Sequence, residues 1–264
     1  MGNTRIHMLM RTAAAVGLLV FGMARVGEGK AELAAGWAFD EGNGNVARDG
    51  TGNGHDGSVE GATWVSGKFG KALEFNGDGD HVFVPHAEGL NLEKVSVAAW
   101  VFPTGWNPDL NAIAQKWEDG TNRRQYQLTI YQEKNWWYVS DAGNNWPRTD
   151  ATTTVINLNE WTHLVGTYDG SMMRAYVNGV LDEEKAQAAG LFASDVDVMI
   201  GGYGPTTPVV YNQNRHFMGI LDEVYFYDDA LTEAEIRSLM EAPALAVSAR
   251  GRLPVAWSVI KARL

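Results

Sequence analysis

Between residues 36 and 227 the apolar positions come in short runs with a period of two, cut apart by Gly, Asn, Asp and Pro, and hardly any stretch carries a helical period. Runs such as DHVFV, QYQLTIYQ, WWYVS, WTHLVGTY, MMRAYV and GILDEVYFY read as strands with alternating faces. The pairs Asp169-Gly170 and Asn178-Gly179 supply the positive φ angles of two-residue type I′ turns, so they predict two consecutive hairpins. QYQLTIYQ and WWYVS, joined by Glu133, Lys134 and Asn135, form a further expected hairpin. One helix stands out near the end, in LTEAEIRSLM. Thr232 with Glu235 three residues on is a capping box, and Leu231, Ile236, Leu239 and Met240 can share one face. This pattern predicts an all-β fold, a sandwich or barrel, with a single short C-terminal helix lying against it.

The two ends depart from the pattern. Arg5, His7 and Arg11 lead into the thirteen-residue apolar run TAAAVGLLVFGMA, which ends in small residues. That order matches a secretory signal peptide over residues 1–24, and the apolar run is shorter than the roughly 20 residues a membrane helix needs. Residues 25–35 then read as a linker, and 36–242 as the folded domain. After Pro243 the chain turns basic, with Arg250, Arg252, Lys261 and Arg263 in a tail over 243–264.

Composition narrows the partners. The 264 residues carry a formal charge of −11, and −13 once Arg5 and Arg11 leave with the signal, so the surface repels nucleic acid and anionic lipid. No cysteine is present; an exported domain of this sequence is therefore held by core packing or by a metal, and not by disulfides.

Ordered blocks along the chain carry a resemblance. DGTGNGHDGSVEGATWVSGKFGKALEFNGDGDHVFVP, VSVAAWVFP, NEWTHLVGTYDGSMMRAYVNG, IGG and FMGILDEVYFYDDALTEAEI are similar to the signature blocks of laminin-G-like, concanavalin A-like jelly-roll domains over residues 36–242. The resemblance implies a two-sheet antiparallel jelly-roll sandwich that in many members binds glycans or protein, often with a calcium ion nearby.

Acidic positions offer candidate ligands for such an ion. In strands through DHVFV and GILDEVYFY, strict alternation sets Asp80 with Val82 and Val84, and Asp222 with Ile220 and Val224. An ionised carboxylate on such a face is costly unless hydrogen-bonded, paired or metal-bound. Calcium suits an all-oxygen set of about six to eight ligands, and the glycine-rich loop DGTGNGHDG adds Asp49. Asp49, Asp80 and Asp222 are the expected metal set. The alternative is that the loops are solvated turns and Asp222 accepts backbone N–H groups. No EF-hand loop is present.

Aromatic residues crowd the stretch from 100 to 150. Trp100 and Phe102 belong to a strand expected to be buried on both faces. Trp136 and Trp137 are adjacent, so one of them faces outward. Trp106 and Trp146 sit in loop-like sequence, and with Trp137, Asn144 and Arg148 they form the expected sugar site: rings stack on a pyranose while polar groups bind its hydroxyls. The opposing reading makes the same rings loop anchors over the sandwich edge. Catalytic signals are weak. Asp222 and Glu223 are neighbours facing opposite ways, a poor acid and nucleophile pair, and no serine-hydrolase, zinc-protease or phosphate-loop motif occurs. The expectation is an exported, secreted or cell-surface, non-catalytic module that binds a glycan or another extracellular polymer, with calcium bracing its loops. Its rivals are a glycoside hydrolase or polysaccharide lyase of the same fold, and an adhesion module whose partner is a protein.

Overall fold

The computed structural model describes residues 30–118, 123–141, 145, 147–149, 152–203 and 215–245. The expected signal segment, most of the basic tail, Asn144 and Trp146 lie outside these residues. The described chain is an all-β sandwich of two antiparallel sheets with one α-helix, as the alternating pattern and the resemblance led us to expect. No helix among the described residues is long and apolar enough to cross a membrane.

Strands are numbered in chain order. One sheet runs β13 (Val180–Ala186), β12 (Met172–Val177), β11 (Thr162–Tyr168), β7 (Val95–Pro103), β15 (Met218–Tyr227), β5 (Lys71–Asn76) and β4 (Thr63–Ser66). β15 has three partners: β7, β5 through Met218–Leu221, and β1 (Leu33–Trp37) through Val224–Tyr227. The other sheet runs β10 (Lys134–Val139), β9 (Arg123–Tyr131), β8 (Asn111–Glu118), β14 (Val198–Ile200), β6 (His81–Val84), β3 (Gly57–Glu60) and β2 (Val46–Ala47).

The main core lies between the sheets, where Val97, Val101, Leu221 and Phe226 meet Val82, Tyr126, Leu128 and Trp137. Tyr126 and Trp37 both meet Phe226 edge-on, at 5.5 and 5.4 Å between ring centroids. Helix α1 (Glu233–Glu241) covers the outer face of the first sheet, hereafter the helix sheet. Its Ile236 and Leu239 are buried with Ala98, Val165, Tyr176 and Tyr225. Thr232 Oγ1 accepts from the Glu235 N–H at 3.3 Å while Glu235 Oε2 accepts from the Thr232 N–H at 2.9 Å, so the expected capping box is in place.

Turn chemistry departs from the expectation at two hairpins. Asn178 and Gly179 take φ of +49° and +74°, as a type I′ turn requires. At the other expected site only Gly170 is positive, at +93°, and the connection runs through Ser171. There the Asp169 carboxylate accepts from the Ser171 and Met172 N–H groups, and a side-chain turn replaces the two-residue one. Between β9 and β10 the turn is Gln132-Glu133, not Glu133 to Asn135; both residues have positive φ, 52° and 62°, and Tyr131 pairs with Lys134. That register decides which aromatic rings face out.

A bulge corrects the expected face of Asp222. Pairing between β15 and β7 shifts between Asp222 and Tyr225, and Glu223 takes a φ of +52°. The extra residue breaks the alternation: Leu221, Val224 and Phe226 all enter the main core, while Tyr225 and Tyr227 face α1. Asp222, which pairs with Trp100, is therefore on the outer side and does not share the face of Val224.

Candidate functional site: an aromatic cleft on the outer face of the second sheet

The β9–β10 register points Tyr131, Trp136 and Tyr138 away from the core, opposite Lys134, Thr129 and Gln127. On β8 a bulge between Lys116 and Trp117 turns Trp117 to the same side, where it pairs with Arg124. The result is a second apolar cluster, outside the sandwich: Ala112, Trp117, Tyr138 and Tyr203 are buried and Trp136 packs half-buried against them. Trp136 stacks on Tyr138 with planes 21° apart and centroids at 6.1 Å. Tyr131 meets Trp136 edge-on at 5.6 Å, and Trp117 meets Tyr138 edge-on at 5.8 Å. Trp136 Nε1 donates to the Tyr131 carbonyl at 3.1 Å, which fixes the angle of the indole.

A cleft of about 250 Å³ opens on this row of rings, and Asp109, Leu110, Gln127 and three arginines complete its described lining. Each guanidinium lies over a ring: Arg148 at 4.9 Å from the Trp136 centroid, Arg124 at 5.3 Å from Trp117, and Arg215 at 5.8 Å from Tyr203. Arg215 Nε also donates to Asp109 Oδ2 at 2.7 Å. The Gln127 amide donates to Gln115 and to the Tyr203 hydroxyl, and Gln115 Nε2 donates to the Gly202 carbonyl at 3.0 Å. Burial pushes the Tyr138 phenol up to about 12, against the pull of Arg148, so its hydroxyl stays protonated.

The expected sugar residues are divided by this geometry. Arg148 lines the cleft. Trp106 is half-buried, packs against the main core and is not part of the lining. Trp137 has to be corrected: it is fully buried between the sheets. Its six-membered ring covers Gly166 of β11, where an added Cβ would come within 2.3 Å of the indole. A glycine inside the apolar run HLVGTY marks such a close approach. The ring that faces out is its neighbour Trp136. Tyr131, Tyr138, Trp117, Arg124 and Arg215 were not singled out from the sequence as a site. Strand alternation carries the signal for the first two, but the bulge hides it for Trp117.

Nor does the structure bring Asp49, Asp80 and Asp222 together. Asp49 organises its own loop, accepting from the N–H groups of Gly36, Thr51 and His55 at 3.2, 3.0 and 3.1 Å. Asp80, beside the other sheet, accepts from the Asn76 N–H at 2.9 Å and abuts Gly61, which leaves no space for a Cβ. Asp222 Oδ2 accepts from the Phe69 N–H at 2.9 Å; its Oδ1 is buried with no hydrogen-bond partner among the described residues. Desolvation raises the Asp222 carboxyl to about 7. Among the described residues no group of three or more His, Asp or Glu side chains could hold a metal ion. Among the described residues the three carboxylates thus do not form one calcium site, and each accepts from backbone N–H.

Comparison with known proteins adds a second line of observation. Residues 76–237 match the Laminin G 3 family model, described as the concanavalin A-like lectin/glucanases superfamily. A curated relative, pappalysin-1 of Mus musculus, is 25% identical over 197 residues; the match takes in 66% of this chain and 11% of the relative, so the chain spans about a tenth of that protein. Domain 4 of AbnA, a GH43 extracellular arabinanase from Geobacillus stearothermophilus solved with arabinotriose, superposes with a TM-score of 0.63 at 21% identity. It covers 80% of this chain and 98% of that domain. The binding domain of Paraclostridial Mosquitocidal Protein 1 gives a TM-score of 0.64 at 17% identity, covering 79% of this chain and 51% of that one. At these identities the two structures show a shared fold.

Proposed function

The chain belongs to the concanavalin A-like lectin/glucanases superfamily, and from that premise we propose that it is a non-catalytic carbohydrate-binding module acting outside the cytoplasm. Its sugar site is the cleft over β8, β9 and β10. The observation that carries this reading is the row Trp117, Tyr138, Trp136 and Tyr131, an apolar cluster on the outer face of a sheet with polar groups around its mouth. Rings so placed take the C–H face of a pyranose or furanose, and the surrounding N–H and O–H groups take its hydroxyls. The arabinanase domain with its bound arabinotriose supports the same use of the fold. Glycosidase chemistry needs two carboxylates across the scissile bond. The described lining offers Asp109 alone, and Asp109 is in an ion pair with Arg215.

The test is isothermal titration calorimetry of the folded protein against a panel of cell-wall oligosaccharides, neutral and acidic, repeated with Trp136→Ala. Saturable binding that falls about ten- to a hundredfold in the variant is expected. An unchanged affinity in Trp136→Ala would remove the cleft from the proposal.

A further inference from the structure

The cleft's charge runs against the charge of the chain. A protein with a formal charge of −11 gathers three arginines, Arg124, Arg148 and Arg215, around a space of about 250 Å³, with Asp109 as the one carboxylate among the described lining residues. Asp109 is engaged by Arg215, and Arg148 faces no carboxylate among the described residues. Asp109 Oδ2 accepts from Arg215, and the Gln127 amide N–H groups are directed to Gln115 and the Tyr203 hydroxyl. At the Trp136 end of the cleft, the group that faces a ligand is the Arg148 guanidinium. A guanidinium stacked on an aromatic ring uses its flat face there and keeps its N–H edge for a planar, bidentate acceptor. The matching ligand is rich in acceptors and carries negative charge.

From this, and resting on the carbohydrate reading above, we infer that the cleft selects a sugar residue bearing an anionic group, a carboxylate or a sulfate ester. Arg148 takes that group while Trp136 and Tyr138 hold the ring. The volume is below the roughly 300–1,000 Å³ of drug-sized sites, so the cleft reads one or two residues of a chain. The acidic remainder of the surface repels a long, densely charged polymer, which favours an isolated acidic unit over a polyanion.

Calorimetry on the whole protein separates the possibilities. The acidic probes are oligogalacturonate and sialyllactose for carboxylates, and a sulfated galactan oligosaccharide for sulfate. Each is paired with its carboxyl-reduced, desialylated or desulfated counterpart. At least one acidic probe is expected to bind about tenfold or more tightly than its neutral partner, and the difference should shrink as salt is raised. The probe class that shows the difference identifies the anionic group. Arg148→Gln is expected to lower that affinity about tenfold, and Arg237→Gln on α1, the same change of charge far from the lining, to leave it alone. Melting curves of both variants check that each is folded. Equal or tighter binding of the neutral partners overturns the inference and leaves the carbohydrate reading standing. Absence of binding by every probe, acidic and neutral, overturns both.

Discussion

The two outer faces of the sandwich carry aromatic rings and end differently. On the helix sheet, Tyr176, Tyr225 and Tyr227 are sealed under Leu231, Ile236 and Leu239 of the helical segment. On the other sheet, Trp117, Trp136 and Tyr138 are overlaid by arginines and open on a cleft. An amphipathic helix with a capping box brings its own apolar stripe and closes a face completely. Guanidinium groups cover rings with one side only, and the other side stays available to a ligand. What an exposed aromatic face is for thus depends on the chemistry of what lies on it, more than on the rings.

Trp137 and Trp136 give the sharpest way to break this comparison, since adjacent residues are assigned to opposite sides of one strand. Trp137→Ala empties the space over Gly166 and is expected to cost about 3–5 kcal/mol of stability. Trp136→Ala, half-buried at the cleft, is expected to cost about 1 kcal/mol or less while lowering sugar affinity about ten- to a hundredfold. Urea denaturation of both variants checks the pair, and similar losses would mean that the two rings are not divided as described.

The sealed face makes a second prediction, about charge. Burial raises the Asp222 carboxyl from 3.8 to about 7, so its share of stability is complete below about pH 3.8 and is lost as pH rises through 7. Asp222→Asn removes that loss: equal to the parent near pH 4, it is expected to become more stable by on the order of 4 kcal/mol well above pH 7. His163, which meets the Trp100 ring at 5.1 Å, works with the opposite sign. Burial lowers its imidazole from 6.5 to about 3, so the stability it supplies is complete above 6.5 and drains away as pH falls toward 3. The variant should therefore show a steeper acid decline than the parent in denaturation midpoints taken at about pH 4, 6 and 8. Parallel pH curves would show that Asp222 is not held in a sealed, desolvated place.

The smallest expected effect concerns the register. Gln132 and Glu133 both occupy the left-handed region, which costs residues with a Cβ roughly 1 kcal/mol each. Replacing them with Asn and Gly should raise stability by about 1 kcal/mol and leave sugar affinity unchanged. A drop in either would place the turn, and with it the outward ring, elsewhere.

Much of the sandwich was legible in the alternation of side chains. Two faces per strand, Asn178-Gly179 as a turn, and Thr232 with Glu235 as the start of a helix are local matters, decided within a few residues by sterics and backbone hydrogen bonding. The candidate site was legible only in part. Arg148 and one outward ring of the pair Trp136 and Trp137 could be expected, with Trp137 as the expected site residue; the choice between the two hung on where a glycine-free turn falls. Gly166, distant in sequence, reveals that choice only when β11 is laid across β10.

The same division holds for the chain as a whole. Residue order sets the strand faces, the helix cap, the acidic balance and the family blocks, because each is a property of neighbours along the chain. Which carboxylates meet, which side of β15 carries Asp222, and which arginines share a cleft depend on one bulge at Glu223, another at Lys116 and the register of a single hairpin. A shift of one residue there turns every following side chain to the other face, and only the packed sheets select among the registers.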